Sequence, residues 1–176
     1  MEKNELLETN VGVLITKFNE FKTTVKDFIQ GMSEEKCKNL GSNYRFILDT
    51  CYYFEKSKSQ YDEAKQNCQG KFGSNTDAKL MEPKTMERFE KIRKLAKTIL
   101  ERGAEILTGF EKNDNAGTDV RHTSDMSRAL IKPWQGNGDT DDHAQPYLRF
   151  MAHSNMWNDG DNDMGGQGFH SICESY

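Results

Sequence analysis

The sequence predicts an α+β domain carried behind a long coiled-coil helix, and three observations predict it. Apolar residues recur every 3.5 positions between residues 7 and 32. From Cys37 onward, aromatic and β-branched runs alternate with two stretches of helical periodicity. Before the last strand-like runs come about 35 residues dense in Gly, Asn and Asp. At 176 residues the chain holds one ordinary domain and an appendage. Hydrophobic residues reach only 35%, charged residues 30%, and mean hydropathy is −0.87. Ordinary globular chains are roughly 45–50% apolar, so the core is lean and something besides burial is expected to hold it. No run approaches 18 apolar residues, so no membrane-spanning helix is expected. The opening MEKNELLETN lacks a basic head and apolar block, so the chain as it stands carries no secretory leader. A net charge of −4 argues against nucleic acid, whose phosphates need clustered Lys and Arg.

The first helix is read from Leu7, Val11, Leu14, Phe18, Phe21, Val25, Phe28 and Met32. These sit at alternating spacings of four and three, with Val11, Phe18, Val25 and Met32 at a and the others at d. Residues such as Glu8, Lys17, Glu20, Lys22, Lys26 and Asp27 fill the other faces. A helix of about 30 residues is roughly 45 Å long and buries such a seam most simply against copies of itself. Phe and Met within the seam, with Ile15 and Ile29 at e, widen it toward three strands. A homotrimer through residues 7–32 is therefore expected. Helix propensity weakens at Gly31, placing the boundary between a 1–34 oligomerisation helix and a 36–176 domain.

Within the domain, residues 44–48 and 51–54 read as a hairpin turning at Asp49-Thr50. A helix follows with Ser59 as its cap and Tyr61, Ala64 and Cys68 on its inner face, ending at Gly70 and Gly73. A second helix, capped by Thr85, turns Met86, Phe89, Ile92, Leu95, Ala96 and Ile99 inward and closes at Gly103. Its Lys- and Arg-rich opposite side reads as a solvated face. Strands are expected at 106–110, 147–151 and 168–173.

Cys37, Cys51, Cys68 and Cys173 allow three pairings, and none of their spacings suits a structural zinc site. A Cys68–Cys173 bridge would close a loop of about 105 residues and contribute roughly 4–5 kcal/mol. Oxidised cysteines imply an extracellular compartment, reached with a leader since removed.

The ordered set Cys37…Cys51-Tyr52-Tyr53-Phe54, Tyr61-x-x-Ala64-x-x-x-Cys68, Leu107-Thr108-Gly109-Phe110, Trp157-Asn158-Asp159 and Ile172-Cys173-Glu174 resembles the C-type lectin-like domain, in its long form. The resemblance covers about residues 36–176 and implies two helices flanking a small sheet with a long-loop region. It also implies the bridges Cys37–Cys51 and Cys68–Cys173. A trimerising neck helix before such a domain is similar to the arrangement of collectins and tetranectin-like proteins. The chain departs from the pattern in three ways. The second long-loop bridge is missing, Ile106 or Leu107 stands for the usual Trp, and no Glu-Pro-Asn or Gln-Pro-Asp triplet occurs. Gln145-Pro146-Tyr147 has the proline but ends in a residue without a carboxylate or amide oxygen.

The resemblance implies calcium-dependent binding of glycans or glycoproteins, and the residue chemistry agrees. Ca²⁺ takes 6–8 oxygen ligands. Asn137, Asp139, Asp141 and Asp142 form one oxygen-rich segment and Asn158 with Asp159 another, with glycines between them. These six are the candidate metal ligands, and Asp139, Asp141, Asn158 and Asp159 the candidate sugar contacts. The stretch from Asp159 is not an EF-hand, because Met164 and His170 stand where Gly and Glu are needed. His122, His143, His153 and His170 have no metal-binding spacing, and His122 beside Ser124 and Asp125 is too local for a catalytic triad. No enzymatic activity is expected. Trp134 and Trp157 are expected as anchors. A protein-binding module without a sugar site, or an ice- or mineral-surface binder, are the other functions this fold implies.

Overall fold

The computed structural model describes residues 2–73, 77–113, 119–131, 138–139, 147–154, 157–160 and 168–175, with backbone only at 2–10, 28–30, 32, 138–139 and 159–160. A single helix, α1 (Glu2–Asn39), opens the chain. Its seam is bare: Phe18 and Phe21 are 66% and 67% exposed, and Val11, Leu14 and Val25 are exposed beside them. The side chains of Leu7, Phe28 and Met32 lie outside the described residues. The helix continues past the expected stop near Gly31 and runs through Cys37. One glycine costs only about 1 kcal/mol, and the following Ser33-Glu34-Glu35-Lys36 favours helix, with a Glu34–Lys38 pair at 2.6 Å. The chain turns at Gly41, whose φ of 137° suits a residue without Cβ.

A hairpin follows, β1 (Tyr44–Ile47) with β2 (Thr50–Ser59). Its pairing Ile47↔Thr50 leaves Leu48 and Asp49 as the turn, one residue earlier than expected. Leu48 takes a positive φ of 56° while its side chain packs on the core. Helix α2 (Tyr61–Gly70) buries Tyr61, Ala64 and Cys68 as read from the sequence. Its cap is Gln60, without a side-chain bond, because Ser59 is the buried last residue of β2, paired with Phe169. After β3 (Lys79–Leu80) comes α3 (Met86–Ile99), where the Thr85 hydroxyl accepts from the Arg88 N–H. Phe89, Ile92 and Ala96 are buried, but Met86 at its start is exposed. The helix ends at Ile99, and Gly103, with φ 85°, serves the turn into β4 (Glu105–Lys112) instead. The solvated face is also interrupted: Arg88 is largely buried and binds Asp49 and the Thr50 hydroxyl at the hairpin turn.

The region dense in Gly, Asn and Asp contains β5 (Val120–His122) and β6 (Gly138–Asp139). Then come β7 (Tyr147–Met151), β8 (Trp157–Gly160) and β9 (Phe169–Ser175). One sheet runs β1-β2-β9-β4-β7-β8-β6, with β3 on β9 and β5 on β4. The strands divide their side chains between two cores. Phe54, Ile106, Phe110, Phe150 and Ile172 meet α3 in the larger one. Leu80, Leu107 and Cys173 meet α2 in the smaller. Two disulfides staple this arrangement. Cys37–Cys51 ties the last turns of α1 to the hairpin, and Cys68–Cys173 ties α2 to β9 across 105 residues. Both pairs are those the resemblance implies. Among the described residues, no helix is long and apolar enough to cross a membrane.

Candidate functional site

Three of the candidate residues, Asp139, Asn158 and Asp159, lie on the last two strands of the sheet. Strand β7 pairs antiparallel with β8, setting Phe150 opposite Trp157, Arg149 opposite Asn158 and Leu148 opposite Asp159. Beyond β8, the short β6 runs parallel to it and sets Gly138 beside Trp157 and Asp139 beside Asn158. Two segments 19 positions apart in sequence, each carrying expected oxygen donors, thus become neighbouring backbones about 4.8 Å apart. Trp157 fixes this edge. It is buried, 5.2 Å from the Phe89 ring and 5.5 Å from Phe150, so it is an anchor. Asn158, next along the strand, is half-buried.

Of the six expected ligands, Asp139 and Asn158 are brought side by side and Asp159 follows on the same strand. Asn137, Asp141, Asp142 and Trp134 lie outside the described residues, as do the side chains of Asp139 and Asp159. Among the described residues, no three His, Cys, Asp or Glu side chains form a metal-holding group. The donor set is all oxygen, which fits a hard cation such as Ca²⁺ and not zinc or copper. Tyr147, third residue of the imperfect triplet, stacks on Tyr61 with ring centroids 3.5 Å apart and belongs to the smaller core.

Sequence reasoning missed Arg149. It is a buried arginine in the strand beside Asn158, with Nε 2.6 Å from a Glu105 carboxylate oxygen and its guanidinium 4.6 Å from the Phe169 ring centre. The one available signal was a charge in the middle of Tyr-Leu-Arg-Phe-Met.

A second polar cluster was equally hidden. The buried Glu82 carboxylate accepts from Lys79 Nζ (2.6 Å), Ser124 Oγ (2.6 Å) and the Ser124 N–H (2.9 Å). His122 Nδ1 lies 3.7 Å from it, and burial pushes the His122 imidazole down from its usual range. Lys79 also donates to the Ser124 hydroxyl at 2.9 Å. Ser124 therefore gives its proton to Glu82 and not to His122, while Asp125 accepts from the Ser127 N–H at 2.9 Å. The trio His122, Ser124 and Asp125 assembles no nucleophile; these groups clamp the 123–127 turn to β3. Gly109 permits the clamp. A Cβ there would lie 2.5 Å from Glu82 Cγ and 2.9 Å from the Leu80 carbonyl oxygen. Gly109→Ala is expected to cost about 2 kcal/mol through this overlap, read as a lowered melting temperature.

No protein-family model and no curated protein sequence matches this chain. Solved structures do. The C-type lectin CEL-I from Cucumaria echinata is 18% identical with a TM-score of 0.63, over 77% of this chain and 96% of that one. The Ca²⁺-independent C-type lectin SPL-2 from Saxidomus purpuratus is 22% identical with a TM-score of 0.61, over 81% and 95%. A calcium-independent type II antifreeze protein is 18% identical with a TM-score of 0.57, over 77% and 95%. Helices α2 and α3, the sheet they flank and the two bridges are together the C-type lectin-like fold.

Proposed function

We propose that this protein is a secreted, oligomeric lectin that binds glycans through calcium at the β6–β8 edge. The observation that carries the reading is the parallel register of Asp139 with Asn158, which joins the two oxygen-rich segments. Similarity to C-type lectins such as CEL-I supports it. Asn137, Asp139, Asp141, Asp142, Asn158 and Asp159 would hold the ion, whose positive charge would take vicinal sugar hydroxyls. The buried Trp157 and the pairing of β8 to β7 fix the backbone from which Asn158 and Asp159 extend. Asp139, Asp141, Asn158 and Asp159 would hydrogen-bond the same hydroxyls and orient the sugar. Millimolar Ca²⁺ is expected to raise the melting temperature by several degrees and a chelator to reverse it; a melting temperature indifferent to both rules out the ion.

The 1–34 segment would serve as the oligomerisation helix and 36–176 as the binding domain. Weak single sites gain avidity when several copies face one repetitive surface. In sedimentation, the full chain is expected as a trimer and residues 33–176 as a monomer; monomers in both cases contradict the seam.

A second reading, a module that binds protein without calcium or sugar, draws on one observation. The residue following the loop proline, Tyr147, is spent on packing against Tyr61, and SPL-2 and the antifreeze protein are calcium-independent. Absence of glycan binding by the full chain, with Ca²⁺ and after chelation alike, would favour it over the calcium site.

A further inference from the structure

A groove of about 570 Å³ lies away from the β6–β8 edge, lined by Lys56, Lys58, Ile99, Leu100, Glu101 and His170. Its floor is His170, a buried side chain on β9 that is held from both sides. Nδ1 is 3.2 Å from the Glu55 carbonyl oxygen, and Nε2 is 3.3 Å from Glu101 Oε1. Both partners only accept hydrogen bonds, so the tautomer decides the donor: a proton on Nε2 is given to Glu101, one on Nδ1 to the Glu55 carbonyl oxygen. The same Glu101 oxygen lies 2.9 Å from Lys58 Nζ. Glu101 differs from His170 in one respect: its side chain is 60% exposed, and it stands just past the end of α3. An exposed pair of this kind contributes little and exchanges readily. Its carboxyl is held below the usual range by hydrogen bonds to Lys58 and His170.

We propose that the groove is an anion-binding subsite in which Glu101 is an internal stand-in for the carboxylate or sulfate of an acidic saccharide. Lys56, Lys58 and His170 supply the donors, and the half-buried Ile99 offers the apolar surface on which a sugar ring lies. The subsite uses no residue of the calcium edge, so it stands or falls separately from the lectin reading.

Inorganic sulfate, titrated in the presence of chelator into the full chain, tests it. The His170 ring resonances are expected to shift saturably in the millimolar range. Glu101→Gln, which removes the competing charge and keeps the shape, is expected to tighten sulfate about fivefold, and Lys58→Met to weaken it by at least as much. Three disaccharides of equal size then separate the sources: binding of the sulfated form alone assigns a sulfate ester, and binding of the uronate as well assigns a carboxylate. Equal binding of the neutral form, unmoved His170 resonances, or a Glu101→Gln affinity no higher than wild type each overturns the subsite.

Discussion

Removing the Cys68–Cys173 bridge is expected to cost the protein about 4–5 kcal/mol, more than any other single covalent change. Both cysteines are wholly buried, and the bridge spans 105 residues, joining α2 to the strand beside the centre of the sheet. In the chain-entropy account, the constraint on the unfolded chain grows with the logarithm of the loop. The second bridge, Cys37–Cys51, spans only 14 residues and is expected to contribute about 3 kcal/mol. Denaturant unfolding of the paired Cys68→Ala/Cys173→Ala and Cys37→Ala/Cys51→Ala variants tests the order. A larger loss from the Cys37 pair would mean that anchoring α1 matters more than closing the domain.

Glu174 is expected to withdraw about 3 kcal/mol of stability as pH rises from about 4.5 to 8, of which about 0.8 kcal/mol is lost between pH 6.5 and 8. This carboxyl is fully buried on β9. Burial is the main cause that pushes its pKa up to about 7; Lys79, 4.0 Å away, pulls the other way. Lys79 gives its short contact, 2.6 Å, to Glu82, so one ammonium serves two buried carboxylates. The folded state therefore holds the Glu174 proton more tightly than the unfolded chain, whose carboxyl titrates near 4.5. The stabilisation is complete below about pH 4.5 and lost as pH rises through 7. Two groups act in the opposite direction lower down. Glu55, bound by Lys71 and the Ser57 N–H and hydroxyl, is held at about 2, so its contribution is lost on acidification below 4.5. His122, lowered by burial, likewise disfavours folding as pH drops through 6.5. The alkaline loss is thus Glu174's own, and Glu174→Gln is expected to flatten the curve between pH 6.5 and 8. A Gln variant that still loses stability there assigns the titration to another group.

What the sequence revealed and what it hid divide along physical lines. The inner faces of α2 and α3 were legible because their burial repeats at helical spacing, as Tyr61, Ala64 and Cys68 or Phe89, Ile92 and Ala96 do. The bridges were legible only through the resemblance, since four cysteines alone leave three pairings. Ser59 misled because a hydroxyl before an acidic residue looks like a cap, whereas pairing with Phe169 claims its backbone for the sheet. The strands β5, β6 and β8 were invisible: two to four residues show no period, and long-range pairing alone defines them. The Asn158 neighbourhood was readable as a motif. Its contact with Asp139 was not, because nothing local in either segment encodes a parallel register. Glu174 and Arg149 within strands, and Glu82 just after β3, escaped because a charged residue gives no sign of being buried until its partners from distant segments are in place.

Glycan binding by the full chain, measured in millimolar Ca²⁺ and again after chelation, bears most directly on the proposed function. Binding that disappears on chelation, returns with Ca²⁺ and is lost in Asp159→Ala is the expected result. Binding that survives both chelation and the substitution, or no glycan binding under either condition, contradicts a calcium lectin site at the β6–β8 edge.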